Sequence, residues 1–495
     1  DLELIRQISD LKGLEEVVIS LHKRGIQPFF NLYAGQDAKD SQTVIAQIAQ
    51  AGLGLPEQDY YLRTDDRSVK QKAAYQEHLQ QAFKRLGYPE MDAATRAAEV
   101  FKLETRLAQA SLSNVQMRDP LGVYHPTTAA DLTNGVAIWS WPRYFEAMGL
   151  SKSDMRVNVQ SPKYLETVYA VLESTDLVTL RSYLEWQLLN SSCECLSEDL
   201  AKFDFDFVKV LSGAPTQPAR NVRVFSRVYR LLGQAIGQKY ADTHFNAKTK
   251  AQVNEMVDLI TEVLDDDFKT LTWMSPETQK EAHAKLAALK FKIGRPDTSE
   301  EYKGLVINRD SYIENVWRTM SYLNDRDLAK IGKPVDKSEW HMTAAEVNAY
   351  YNPPMNEVVI PSGIIQPPLF AAEGDDALNY GGLGCVIGHE ITHGFDDEGR
   401  KYDGAGNVRD WWAPADLNNF QKLAGLVEEQ FSGYTVLDGH LHLNGKLVVG
   451  ESIADLGGIR LSYLAYQRLL KKRPGKVIEG FTPEQRFFLG YAHLW

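Results

Sequence analysis

Cysteine is scarce in this chain: three in 495 residues, Cys193, Cys195 and Cys385. An odd, low count excludes a disulfide framework, and the C-x-C at 193–195 is too tight for an easy mutual bridge and too short for a CxxC redox motif. All three are expected to be plain thiols. That usage fits a bacterial chain in any compartment and fits a bridged animal ectodomain poorly. Long apolar runs are lacking too. None reaches about 18 residues, so no segment is expected to span a membrane. The chain opens on Asp1 without a charged-then-apolar leader, so no signal peptide is read. A leader or anchor removed upstream of Asp1 is compatible with that. There is no excess of positive charge. The net charge of −12 argues against nucleic acid or an anionic membrane surface as the main partner, since both select clustered Lys and Arg. Internal repeats and low-complexity tracts are missing as well.

What remains is an ordinary globular composition, 44% hydrophobic and 24% charged, long enough for two or three domains. Residues 1–300 read as mostly helical. In "VNEMVDLITEVLDDDF", Val253, Met256, Ile260, Val263, Leu264 and Phe268 recur at three- and four-residue steps, an amphipathic stripe. "MSPETQKEAHAKL" opens with Ser275 as a cap and Pro276 at the first helical position. Helical patterns also cover 67–87, 92–111, 162–190 and 220–241. The texture changes after about 294. "GRPDTSEEYKGL" is breaker-rich and reads as a linker or loop. "NEVVIP" reads as a strand ended by Pro361, and "GHLHLNGKLVVG" as a hairpin turning at Asn444-Gly445. The expected fold class is mainly α: a large helical domain over 1–300, then a smaller mixed domain over 301–495 that carries the chemistry.

That chemistry centres on "CVIGHEITHG". His389 and His393 are four apart, so they share one helical face and both imidazoles can converge on one point. Zinc wants such a pair of neutral nitrogens, and Glu390, one step round the helix, can reach a zinc-bound water without ligating the metal. The competing reading is a helix with two surface histidines. A third ligand would separate the two. The H-x-x-G-x-x-H extension is absent, because 396 is Asp and 399 is Gly. "GESIADLGG" offers Glu451 and Asp455 instead, again four apart, on what reads as a short helical segment bracketed by glycines. Glu451 as third ligand leaves a fourth position open for water, the catalytic arrangement rather than the closed structural one. Asp455 is placed to accept the free ring N–H of His389, fixing its tautomer. Taken alone, the two carboxylates also read as a solvated helix face. Among the other histidines, His440 and His442 alternate on the expected strand and read as a solvent-facing pair rather than a second metal site.

Several long stretches then point one way. "GHEITHGFDDEGRKYDGAGNVRDWW", "GESIADLGGI" and "VNAYYNPPMNEVVIPSGIIQPPLF" resemble the neprilysin family of zinc endopeptidases, as do "GLPEQDYYL" and "KPVDKSEWHM". The similarity runs along essentially the whole chain. The resemblance implies a thermolysin-like α+β catalytic domain with one zinc per chain, held by His389, His393 and Glu451. It implies Glu390 as general base and Asp455 as the residue orienting His389. It implies that Asn348 and Ala349 hold the substrate backbone. It also implies that Ile364, Leu369, Val386, Leu494 and Trp495 line an apolar pocket for the residue just after the cut bond. Cys385 stands in the wall of that pocket as an inert thiol. The helical domain would cover an enclosed chamber that admits small peptides, cut on the amino side of hydrophobic residues. The family chain begins upstream of Asp1 and continues past Trp495, where a tail histidine and arginine assist catalysis. A member lacking both ends is therefore the expectation, with a zinc-binding but catalytically impaired fragment, or a non-enzymatic peptide binder, as alternatives. A bacterial, extracytoplasmic protein fits, and a cytoplasmic one is compatible. The oligomeric state is left open.

Overall fold

The structure is a computed structural model that describes residues 1–133, 137–150, 154–298 and 301–495. It is mainly α, as expected. The chain forms two compact units. The first comprises Asp1–Asp37, Gln42–Leu231 and Tyr302–Val335; the second comprises Ala38–Ser41, Leu232–Glu301 and Asp336–Trp495. These units do not follow a single cut near residue 300. The chain passes from one to the other and back, for reasons visible in the pairing of its strands.

In the first unit, helices start where short polar side chains cap them. Asp65 accepts from the Ser68 amide to open Asp66–Arg85, and Ser197 accepts from Leu200 to open Glu198–Ser212. The pattern read as one helix over 162–190 is two, Pro162–Ser174 and Leu177–Ser192. Asp176 caps the second by accepting from the Thr179 amide, and a cap in mid-pattern divides what periodicity alone joins. The unit also contains a four-stranded sheet that the sequence reading missed. Arg156–Val159 runs parallel to Asp40–Gln50 and antiparallel to Pro126–Thr128, with Phe30–Asp37 on the far side of Asp40–Gln50. Large side chains such as Tyr75, Phe83, Trp141, Tyr144 and Trp186 fill the core.

The second unit holds the histidine motif. Helices Ala247–Phe268 and Pro276–Ala288 form as the stripe and the Ser275 cap predict. Their apolar faces pack here, in one core with Val358, Ile360, Leu383, Ile387 and Ile391. The covering strand explains why. Lys290–Gly294 pairs parallel with Glu357–Pro361, Phe291 facing Val358 and Ile293 facing Ile360, while Tyr350–Asn352 adds an antiparallel edge. That parallel pairing draws residues 232–298 into this unit. Conversely, helix Tyr312–Leu328 belongs to the first unit. Of the breaker-rich linker, Ser299 and Glu300 lie outside the described residues, and the remainder beyond Gly294 is irregular.

The expected turn at Asn444-Gly445 is not a turn. The small hairpin is Thr435–Val436 with Leu441–His442, and Asn444 is the N-cap of a 28-residue helix, Gly445–Lys472. A Cβ on Gly445 would sit 2.2 Å from the Glu428 carbonyl oxygen, so that glycine serves close packing on helix Pro414–Ser432. The "short segment" carrying Glu451 and Asp455 lies inside the same long helix, and Gly450, Gly457 and Gly458 do not interrupt it. No described helix is long and apolar enough to cross a membrane.

Candidate metal centre

His389, Glu390 and His393 lie on the short helix Cys385–His393. The preceding turn, Tyr380–Gly384, winds more widely as a π-helix. The long helix Gly445–Lys472 crosses the histidine helix at a glycine pair. A Cβ on Gly388 would lie 2.8 Å from the Gly458 carbonyl oxygen, and one on Gly458 would lie 2.6 Å from the Cys385 oxygen and 2.8 Å from the His389 nitrogen. The two backbones thus touch directly, closer than any pair of ordinary side chains allows. Two turns along from Gly458, Glu451 comes within reach of both imidazoles.

The convergence is tight. His389 Nε2 lies 2.9 Å from His393 Nε2, and Glu451 Oε2 lies 3.3 Å from the first and 3.5 Å from the second. Ligands about 2 Å from a tetrahedral zinc stand about 3.3 Å from one another, so this donor set fits the ion. It is the one group of three His, Cys, Asp or Glu among the described residues whose ligand atoms gather this way. Both rings are oriented from behind. His389 Nδ1 is 2.8 Å from Asp455 Oδ1, as the sequence suggested. His393 Nδ1 is 2.7 Å from Asp396 Oδ2. With a proton on each Nδ1, both Nε2 lone pairs face the shared point.

Asp396 was missed by sequence reasoning, which noted it only as the residue that breaks the H-x-x-G extension. It is buried, and its second oxygen accepts from the amides of Glu398 and Gly399 at 2.9 and 2.6 Å. The available signal was a carboxylate three residues after the second histidine.

The electrostatics match a site built for a cation. Burial opposes protonation of His389, but the Asp455 and Glu451 carboxylates outweigh it and raise its pKa to about 9. Burial likewise opposes protonation of His393, while Asp396 and Glu451 lift it to about 10. The two imidazoles hold Glu451 well below the usual carboxylate range. Glu390 is buried, and that burial pushes its pKa up against the pull of His393 and His389. Cys385 is buried and burial pushes it up to about 12, so its thiol is inert.

His389, Glu390, His393 and Glu451 line a cavity of about 350 Å³ together with Asn348, Ala349, Tyr351, Asp396 and Glu398. Asn348 is exposed and Ala349 buried, immediately before the edge strand Tyr350–Asn352. The five apolar candidates do not line this cavity. Ile364 is buried in the unit's core, and Leu369, Val386 and Leu494 pack against that core, while Trp495 is 82% exposed beside Tyr491.

Known proteins resemble this chain along nearly its whole length. Two family models described as peptidase family M13 match the chain, an N-terminal model over residues 1–296 and a second over 348–495. Human endothelin-converting enzyme 1 is 34% identical over 495 residues, covering 97% of this chain. The chain spans 64% of that relative's length. Human neprilysin is 33% identical over 513 residues, which cover 97% of this chain and 68% of neprilysin. Among solved structures, the inhibitor complex of Mycobacterium tuberculosis zinc metalloprotease Zmp1 superposes with a TM-score of 0.95 at 37% identity, over 100% of this chain and 76% of that one. PepO from Lactobacillus superposes at 0.88 with 25% identity, over 99% and 76%. Matched by family models over both its parts, and by relatives of one third identity along nearly its whole length, this chain belongs to peptidase family M13.

Proposed function

We propose that this chain is a zinc-dependent endopeptidase acting on small peptides, cutting on the amino side of hydrophobic residues. The observation that carries the reading is the convergence of His389, His393 and Glu451 beside a buried Glu390 with a raised pKa. Zinc, when bound, supplies a Lewis acid that acidifies water and polarises a carbonyl. The chain's own residues do the rest. Glu390 takes the proton of the attacking water and passes it to the leaving amine, a role that favours a carboxylate lifted toward neutrality by burial. Asp455 and Asp396 keep the imidazole protons on Nδ1. Asn348 and Ala349, immediately before the edge strand Tyr350–Asn352, hold the substrate backbone as an added strand would be held. Ile364, Leu369, Val386, Leu494 and Trp495 are assigned to the side chain after the cut bond on the family resemblance. An extracytoplasmic bacterial location accompanies this reading, and cell fractionation checks it.

The test measures bound zinc and cleavage of a quenched peptide with Phe or Leu after the cut site, for this chain and for Glu390→Gln. The expected outcome is one zinc in each, with turnover lost on Glu390→Gln. Zinc in both without cleavage in either makes this chain a metal binder without turnover. Absence of zinc in both overturns the metal site.

A further inference from the structure

Lys285 sits on helix Pro276–Ala288, 109 residues before Gly394, and is only 2% exposed. Its Nζ donates to three backbone carbonyls of one loop: Gly394 at 2.6 Å, Gly399 at 2.7 Å and Tyr402 at 2.8 Å. The rings of Phe395, Tyr351 and Trp411 surround it at 5.4, 5.7 and 5.9 Å from Nζ to each centroid. Three carbonyl dipoles and three aromatic faces make a built cation socket that the protein fills with its own ammonium. Burial pushes the Lys285 pKa down to about 7, yet three acceptors require three N–H donors, which only the charged form has.

The socket's position gives it a consequence. The loop bound by Lys285 is the one that carries Asp396 behind His393. The first and second carbonyls it grips, Gly394 and Gly399, flank Asp396, and the Gly399 amide itself donates to Asp396. A second tie runs from the same place. Asn356 donates to the Lys285 carbonyl oxygen at 3.0 Å and accepts from the Tyr351 hydroxyl at 3.0 Å, and Tyr351 lines the cavity.

We propose that Lys285 is a positioning residue for the metal centre: its ammonium pins the Gly394–Tyr402 loop from behind, the loop sets Asp396, and Asp396 sets the ring of His393. This rests on His393 being a zinc ligand. A positioning residue of this kind acts on metal affinity through its intermediary, without touching the ion.

The test is the zinc dissociation constant by chelator competition for the full chain, Lys285→Met, Asp396→Ala and the double variant. Met keeps the length of the stem and removes the charge and the donors. The expected result is a loss of about 10- to 100-fold in affinity for each single variant. Because the two act in series, the double variant is expected to bind no more weakly than the weaker single one. A folded Lys285→Met variant binding within twofold of the parent overturns the proposal, as do losses that multiply in the double variant. A parent chain that binds no zinc overturns the metal reading itself, a distinct result. Hydrogen exchange on the parent chain stripped of metal covers the case in which Lys285→Met does not fold. Protected Glu398 and Gly399 amides without zinc support a loop set by Lys285. Unprotected amides that become protected only with zinc overturn it.

Discussion

Asp455 and Asp396 never reach the shared point between the imidazoles, yet they decide which nitrogen faces it. Replacing Asp455 with Ala frees the His389 ring to rotate and to move its proton to Nε2. Zinc affinity is expected to fall by about 10- to 100-fold, read by chelator competition. The same carboxylates set a pH dependence. The carboxylates raise the two ring pKa values to about 9 and about 10, so the metal-free pair holds a proton at neutral pH between the two Nε2 atoms, which lie 2.9 Å apart. Metal must then displace that proton. The sign follows: apparent affinity rises with pH up to about 9–10 and falls below it, by about tenfold per pH unit for the proton displaced. Calorimetry in buffers of different ionisation enthalpy is expected to show net proton release on zinc binding at pH 7. At this scale the convergence of His389 with His393 was legible, because residues four apart on a helix must share a face. Asp396 was harder to read, because it lies in a loop with no period. Lys285 was hidden altogether, since a lysine in an amphipathic helix reads as solvent-facing until the loop that covers it is known.

Between elements, the decisive contact is the glycine crossing of the histidine helix with Gly445–Lys472. Gly458→Ala would place a methyl 2.6 Å from the Cys385 carbonyl oxygen and 2.8 Å from the His389 nitrogen. Both neighbours are backbone and cannot turn aside, so the helices must separate. The expected cost is about 1–3 kcal/mol in denaturant unfolding, with a larger loss of zinc affinity than a surface substitution on the same helix away from Glu451 and Asp455. A variant with parent stability and affinity would refute this account of the crossing. Local signals worked well where the element was local: the Ser275 cap, the 253–268 stripe and the Glu357–Pro361 strand. They misled where a local motif was overruled by packing. Asn444-Gly445 has the composition of a hairpin turn, but Asn444 stands at the N-cap position without a side-chain capping bond, and Gly445 is needed where the helix presses on the Glu428 carbonyl.

For the folded chain as a whole, the first unit carries a stability switch far in sequence from the metal site. Glu104 is fully buried, with Oε2 accepting from the hydroxyls of Tyr75 at 2.7 Å and Tyr61 at 2.9 Å. Burial pushes its pKa from 4.5 up to about 8, against those hydrogen bonds. The folded state therefore holds a proton that the unfolded state has lost across that interval. Stability contributed by the neutral carboxyl is full below about pH 4.5 and declines as pH rises toward 8, by up to about 1.4 kcal/mol per pH unit. Glu104→Gln keeps the size and removes the titration. Urea unfolding of the chain at pH 5 and pH 8 is expected to show a smaller difference for the variant than for the parent.

The linear order of residues determined by itself whatever depends on near neighbours. Helical period placed His389, Glu390 and His393 on one helix, apolar periodicity and capping residues predicted a mainly helical fold, and long motifs carried the family resemblance. Only the tertiary structure decided what depends on distant segments meeting. It drew 232–298 into the unit that holds the histidine motif, through the parallel pairing of Lys290–Gly294 with Glu357–Pro361. It brought Glu451 and Asp455 to the histidines because two glycines let two backbones touch. It also set a buried ammonium behind the loop of Asp396. Periodicity is a property of one segment, whereas a strand partner, a helix crossing or a socket belongs to two or more segments. Nothing within either segment alone names the other.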